Sequence, residues 1–294
     1  MTAGPLVSIV TPSYNQGRFL RRTIESVLQQ DYPELEYIVI DGGSTDESVA
    51  VLRSYGQRFT WVSERDGGQA DAINKGLARA RGAILAYLNS DDVLRAGAVS
   101  AVVRHFEQQP DWDLVYGNAD FIDVDDRVLG PYPTAPYSFA RLLEDCCICQ
   151  PAAFWRRRIA ERVGPFDAEL HYALDYDYWM RLDRAGGRLV HVPEVLAASR
   201  QYPETKTQSC RLDVYREILA TCLKHAGDAS FSHCIAYWHH RCHERRRGWP
   251  RLVRRLPEAT WWLALLHSRW LRHGRVLPFC ADLLRSARRR YTPR

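Results

Sequence analysis

Short apolar runs that break off in polar loops alternate along the chain with segments whose apolar residues recur every three or four positions. Residues 6–10 form the first run, which stops at Thr11-Pro12-Ser13-Tyr14-Asn15. Pro12 has no N–H for a central ladder, so the strand is expected to end there. Residues 18–30 place Phe19, Leu20, Ile24, Val27 and Leu28 at helical spacing, which predicts an amphipathic helix. A second strand over 36–40 ends in Asp41-Gly42-Gly43-Ser44-Thr45-Asp46, where Ser44 or Thr45 can cap the next helix. A third strand over 59–62 leads through a Gly67-Gly68 loop into a helix carrying Ala70, Ile73, Leu77 and Ala80. Residues 84–88 are continuously apolar, as in a strand covered on both faces, and stop at Asn89-Ser90-Asp91-Asp92.

This β-α-β-α-β-α-β order implies a mostly parallel central sheet flanked by helices. Right-handed crossovers bring the loops after the strands to one edge. Tyr14, Asn15, Asp41, Ser44, Gly68, Asp71, Asp91 and Asp92 are therefore expected to converge, although they are far apart in sequence. Two adjacent carboxylates beside Asn89 suit a hard cation, Mg²⁺ or Mn²⁺, that holds phosphates. The plainer alternative is an acidic turn leading into a helix. The chain has no G-x-G-x-x-G and no G-x-x-x-x-G-K-[ST], so dinucleotide and P-loop readings lose support.

Beyond residue 125 the periodicity is mixed. Residues 113–116 and 120–124 read as two strands, and 151–154 as an apolar backing segment. Residues 156–163 read as a helix closed by Gly164. A helix over 174–182 puts Leu174, Tyr178 and Leu182 on one face and Asp175 and Trp179 on another. From residue 212 the pattern becomes helical, with segments over 212–225 and 231–247. Residues 249–294 then interleave Trp and Leu with many arginines.

Charge sharpens that division. The net charge of +5 conceals a tail, residues 211–294, with 18 Lys and Arg against 6 Asp and Glu. Basic helices rich in Trp and Leu suit an anionic membrane surface. A helical subdomain or dimer surface is the alternative reading of the tail. No nucleic-acid-binding module is recognisable, so nucleic acid is not an expected partner. No run of about 18 apolar residues predicts a membrane span. The first residues lack a signal-peptide pattern, so a cytoplasmic protein is expected, with peripheral attachment to the inner membrane face through the tail. Among the 8 cysteines, Cys146 and Cys149 have C-x-x-C spacing, and Cys234 and Cys242 lie among histidines 233, 239, 240 and 243. No second C-x-x-C completes a zinc site, so reduced core cysteines and surface histidines are expected.

Four ordered motifs carry a resemblance. They are Val7-Ser8-Ile9-Val10-Thr11-Pro12-Ser13-Tyr14-Asn15, Ile38-Val39-Ile40-Asp41-Gly42-Gly43-Ser44-Thr45-Asp46, Asp71-Ala72-Ile73-Asn74-Lys75-Gly76 and Leu88-Asn89-Ser90-Asp91-Asp92. Together they resemble a family 2 glycosyltransferase of GT-A fold. The likeness continues through Tyr116-Gly117-Asn118, Gln150-Pro151 and Gly164-Pro165-Phe166-Asp167 to about residue 205. The resemblance implies an α/β, Rossmann-like domain with a C-terminal helical extension. It also implies inverting, divalent-metal-dependent transfer of a sugar from a nucleotide sugar to a saccharide or lipid-linked acceptor hydroxyl, as in bacterial surface polysaccharide assembly. UDP-sugar is the expected donor, with dTDP- and GDP-sugars as alternatives.

By the same resemblance, Pro12 and Tyr14 wall the nucleobase and Asp41 accepts from a base N–H, the alternative for Asp41 being a turn-stabilising residue. Asn15, Ser44, Gly68 and Asn89 line the donor. Asp71 and Lys75 face the nucleotide sugar, the alternative being an i,i+4 ion pair. Asp91 contacts sugar hydroxyls, and Asp92 holds Mn²⁺ or Mg²⁺. The family's base position reads Leu174-Asp175 here, so Asp175 is the expected base, with Asp177 in reserve. Trp179 is a candidate acceptor platform, and Arg200 and Lys206 are candidate diphosphate partners. Tyr202 stands near a place where the family often has a metal-binding His. The expected division is 1–125 for the donor, 126–208 for the acceptor and 209–294 for the tail. A non-catalytic nucleotide-sugar-binding scaffold and a sugar nucleotidyltransferase are the competing functions, the latter weakened because Pro12-Ser13-Tyr14-Asn15 offers no lysine-bearing phosphate loop.

Overall fold

The computed structural model describes residues 4–245, with side chains through residue 241. In chain order the elements are β1 (Val7–Ser13), α1 (Gly17–Leu28), β2 (Leu35–Asp41), α2 (Ser48–Ser54), β3 (Thr60–Ser63), α3 (Gln69–Arg79), β4 (Ile84–Tyr87), β5 (Val93–Leu94), α4 (Ala98–Gln108), β6 (Leu114–Ile122) and β7 (Val128–Pro131). There follow α5 (Phe139–Glu144), a 3₁₀ turn (Gln150–Ala152), β8 (Ala153–Arg156), α6 (Arg157–Val163), α7 (Leu174–Arg184), β9 (Leu189–Arg200), α8 (Lys206–Ser209), α9 (Arg211–Ala226) and α10 (Phe231–Arg245). They fall into two compact units. The first is built from the described residues of Met1–Ser138 with Cys147–Tyr202, and the second from those of Phe139–Cys146 with Pro203–Arg294.

The first unit holds one sheet in the order β3-β2-β1-β4-β8-β6-β9-β5, with β7 added to β6. Strands β3, β2, β1 and β4 are mutually parallel. Strand β8 runs against both β4 and β6, and β9 runs parallel to β6. The sheet is thus mostly parallel, as the alternating pattern predicts. All four residues of β4 are buried, as expected of a strand covered on both faces. Helix α3 lies so close to β1 that a Cβ added at Gly76 would sit 2.2 Å from a methyl of Val10. Ile9, Leu20, Ile24, Val39, Ile84 and Phe154 belong to the main core, all with 0% exposure.

Three local expectations are corrected. Strand β1 does not stop at Pro12, which pairs in register with Ile40 of β2. Val10 accepts from Leu88 on the β4 side, and Ser13 accepts from Gly42 on the β2 side. Residue 12, two along from Val10, therefore faces the β4 side, where β4 has already ended, and its missing donor breaks no ladder bond. Residues 113–124 make one long strand instead of two, because β9 pairs along nearly all of β6. Neither Ser44 nor Thr45 caps α2. Asp46 accepts from the amide of Ser48 at the helix start and also from the amide of Gly17 at the start of α1.

In the second unit α9 and α10 form a helical pair. Gly227, with φ of 66°, closes α9 and accommodates the left-handed turn. Cys222 and Cys234 are fully buried. His233 is buried, which corrects the expectation of a surface position for it, whereas His239 is exposed as expected. Burial pushes His233 down to a pKa of about 4. Among the described residues no group of three or more His, Cys, Asp and Glu is placed to hold a metal ion. No helix among the described residues is long and apolar enough to cross a membrane. Most of the basic tail, residues 246–294, lies outside the described residues, as do the side chains of Cys242 and His243.

Candidate functional site

The site is built on the end of β4. Past Leu88 the chain turns, with the Asp92 amide bonded to the Asn89 carbonyl. Thr23 Oγ1 of α1 lies 2.9 and 2.8 Å from the carbonyls of Ser90 and Asp92 and ties the turn to the helix. Both oxygens of Asp92 are engaged, one by the Arg200 amide at 2.8 Å and the other by Asn89 Nδ2 at 3.3 Å. The Asn89 side chain is itself fully oriented. It accepts from Gln69 Nε2 at 2.7 Å and donates to Gln150 Oε1 at 3.1 Å, while Gln150 donates to the Tyr87 carbonyl at 2.7 Å.

Asp91 accepts from the Tyr202 hydroxyl at 2.7 Å, and that hydroxyl accepts from Gln16 Nε2 at 3.0 Å. Arg200 was expected to face a diphosphate. The structure instead buries it to 2% exposure and commits its guanidinium to protein oxygens. Nε donates to the Asp91 carbonyl, Nη1 to the Asp123 carbonyl and Nη2 to the Asp126 carboxylate. A desolvated guanidinium is stable only when its donors are filled, so Arg200 fastens the β6–β7 hairpin to the acidic turn.

Burial raises the proton affinity of both carboxylates. For Asp92 the charge of Asp91 adds to the effect of burial, whereas for Asp91 the Tyr202 bond, Arg200 and Arg18 partly offset it. A buried pair of like charges is stabilised by a shared proton or by a cation. The donor set, two carboxylates with an amide beside them, fits Mg²⁺ or Mn²⁺, which take one or two protein carboxylates and fill the remaining positions with phosphate oxygens and water.

The loops after β1 and β2 are laced together. Asn15, at φ of 51°, accepts from the Thr45 amide, and its own amide donates to Ser44 Oγ. Tyr14 is 61% exposed beside them. Pro12 is buried, so of the two expected base walls only Tyr14 is presented. Asp41, expected to meet a nucleobase, is fully buried beneath this turn. It accepts from the amides of Gly43 and Ser44 and from the hydroxyls of Ser44 and Ser63. In this structure it is the turn-stabilising residue of the alternative reading.

Gly68, at φ of 115°, opens α3, and Asp71 accepts from the Gly67 amide one turn back. Lys75 lies 3.2 Å from Asp71 and 3.4 Å from Glu64, so the i,i+4 ion pair is formed. The pair is partly exposed and contributes only tenths of a kcal/mol.

Asp175 sits in the first turn of α7. Its helix joins the β4 end through an aromatic cluster: Tyr178 stacks on Phe166 at 3.9 Å, Phe166 meets Tyr87 at 5.5 Å, and Trp155 touches Tyr87 and Tyr178. Asp175 keeps partial solvent contact, and the Tyr176 amide donates to it at 2.8 Å. Surrounding protein nevertheless pushes its pKa up to about 6.

Two expectations around it change. Trp179 is fully buried, edge-on to Trp155 and Tyr178, so it offers no ring face to an acceptor. Asp177 is fully buried in an ion pair with Arg181 and is not a reserve base. Arg181 spends its other donors on the carbonyls of Val163 and Pro165. Lys206 begins α8, in the second unit.

The model of "Glycosyl transferase family 2" matches residues 8–164, more than half of the chain. The chain belongs to glycosyltransferase family 2. Among curated relatives, the PGL/p-HBAD biosynthesis glycosyltransferase of Mycobacterium bovis is 31% identical over 185 residues, spanning 61% of this chain and 70% of the relative. Two solved structures share the fold. Staphylococcus aureus TarS 1-349 in complex with UDP-GlcNAc has a TM-score of 0.59 at 18% identity, covering 88% of this chain and 79% of that one. The Pyrobaculum calidifontis mannosyltransferase PcManGT, in complex with GDP-Man and Mn²⁺, has a TM-score of 0.59 at 19% identity, covering 99% and 82%. The family 2 enzyme described here is thus a glycosyltransferase of GT-A fold.

Four residues of this family 2 site had no such role in the sequence reading: Gln16, Gln69 and Gln150 had none, and Tyr202 was noted only for standing near a ligand place. Their partners are up to 186 positions away, beyond any local pattern. The one available signal was charge-free amides next to the strand ends, a weak cue.

Proposed function

We propose that the protein transfers a sugar, with inversion, from a UDP-sugar to a hydroxyl of a saccharide or lipid-linked acceptor. The observation that carries this reading is the adjacent Asp91–Asp92 pair at the end of β4, half-buried and buried respectively, beside loops that present Tyr14. A parallel sheet gathers ligands at the carboxyl ends of its strands where the strand order reverses, and β1 and β4 flank that point. Residues 1–125 serve the donor and 126–208 the acceptor.

Asp92 is the metal-holding carboxylate, with Asp91 toward the sugar and ribose hydroxyls. A bound Mn²⁺ or Mg²⁺ supplies the charge that neutralises the departing diphosphate. Asp175 takes the acceptor's proton while the acceptor oxygen bonds to the anomeric carbon and the sugar–phosphate C–O bond breaks. A carboxylate with a pKa of about 6 is ionised near neutrality and still basic enough to assist. A UDP donor is supported by the TarS complex, and a glycolipid acceptor by the mycobacterial relative's name. The basic tail is proposed to hold the enzyme at an anionic membrane surface.

The test is a panel of UDP-, dTDP- and GDP-sugars, scored by released nucleotide with Mn²⁺ or EDTA. Turnover of UDP-sugars by wild type and its loss in Asp92→Ala and Asp175→Asn is expected. Equal turnover with Asp175→Asn removes the assigned base, and absence of turnover with retained binding favours the scaffold reading.

A further inference from the structure

Helix α1 brings a second arginine to the acidic turn. The Arg18 guanidinium lies 4.6 Å over the Tyr202 ring and 4.3 Å over that of Phe19. Those two rings are 5.0 Å apart, and Arg200 approaches the same Phe19 at 4.7 Å. Arg200 is buried, whereas Arg18 is exposed. Because the Tyr202 hydroxyl bonds both Asp91 and Gln16, the ring beneath Arg18 is fixed where the β1 loop meets the end of β4.

Arg18 also hydrogen-bonds the Tyr202 side chain and its charge reaches Asp91, which sets a positive fork beside the acidic turn. A bound divalent ion would offset the two carboxylates. Arg200 is spent on Asp126 and two carbonyls, and Lys75 bridges Asp71 and Glu64. A departing nucleoside diphosphate still needs a cation. The start of α1 does not meet that need, since Ser48 takes the Gln16 amide and Asp46 the Gly17 amide. An arginine stacked on aromatic rings is pre-organised, and its planar fork matches two phosphate oxygens.

We propose that Arg18 is a diphosphate-binding residue of the donor site, a deepening that rests on the nucleotide-sugar reading above. It grips the phosphates of the bound donor and of the leaving nucleotide, and Tyr202 serves as its platform. An exposed arginine that merely rests on two rings would leave phosphate affinity unchanged.

The experiment measures affinity of the full chain with Mn²⁺ for UDP and for uridine, in wild type, Arg18→Ala, Arg18→Lys and Arg18→Gln. Loss of a charge-assisted pair predicts UDP binding weaker by about tenfold or more in the Ala variant, with uridine unchanged. Lys recovers part of the loss. Gln keeps much of the aliphatic contact with the rings and shows the same phosphate-selective loss, which separates charge from packing. Equal weakening of UDP and uridine, or no weakening of either, overturns the role of Arg18. Wild type that binds none of UDP, dTDP and GDP overturns the donor-site reading itself, and Arg18 with it.

Discussion

The Tyr202 hydroxyl donates to Asp91 across 2.7 Å, joining residues 111 positions apart in the chain. Burial raises the proton affinity of Asp91, and this bond partly offsets the rise. Tyr202→Phe keeps the ring and removes the donor. The expected outcome is a stability loss of about 1 kcal/mol and a fall of about tenfold in kcat/KM for the donor, read by thermal melts and steady-state kinetics.

Asp175→Asn is expected to abolish transfer while leaving nucleotide affinity intact, because the amide preserves shape and removes basicity. In wild type, kcat/KM should rise with pH through an acid limb near the raised value of about 6. The residual rate of the Asn variant should lack that limb. A pH–rate profile of both proteins decides it, and a limb that survives in the variant assigns the titration to another group.

Arg200→Met should be among the most destabilising single changes in the first unit. It removes the guanidinium donors from the carbonyls of Asp91 and Asp123 and from the Asp126 carboxylate, which keeps its pair with Arg22. The expected loss is about 2–4 kcal/mol by denaturant unfolding. Asp126→Asn should lose less, since that carboxylate is 44% exposed.

The acidic pair also makes a pH prediction with a definite sign. Its carboxylates bind protons more tightly folded than unfolded. Their stabilising contribution is therefore full below the ordinary carboxylate pKa of 3.8 and is lost as pH rises through the raised values. In EDTA, Asp92→Asn should gain stability relative to wild type between about pH 5 and 8, because the amide carries no charge to repel Asp91. Saturating Mn²⁺ should reverse the order by stabilising wild type alone. Melting temperatures across pH, with and without Mn²⁺, give the comparison.

Most of the sheet was legible because each buried strand ends in a polar loop whose composition announces the turn. The acidic end of β4 was legible for the same reason. What escaped depended on distant partners. Nothing local to Asp41 shows that Ser63, from another strand, fills its lone pairs. Nothing local to Arg200 says that a hairpin tip 74 residues earlier will take its charge. Trp179 shares a helical face with Asp175 by spacing, yet the Trp155 and Tyr178 rings bury it. Two strands were read where β6 is one, since only the length of β9 reveals the continuous pairing.

Pro12 gives the crevice its starting line. Beyond Val10, strand β1 keeps β2 as a neighbour and loses β4, and the imino nitrogen falls on the abandoned side. An ordinary residue there would turn a buried N–H toward a side where no strand accepts it, and that group would need a partner of its own. With proline the wall beside the opening carries no such thirst. The strand end next to the acidic turn is thereby finished in carbon, with no interior donor left unanswered.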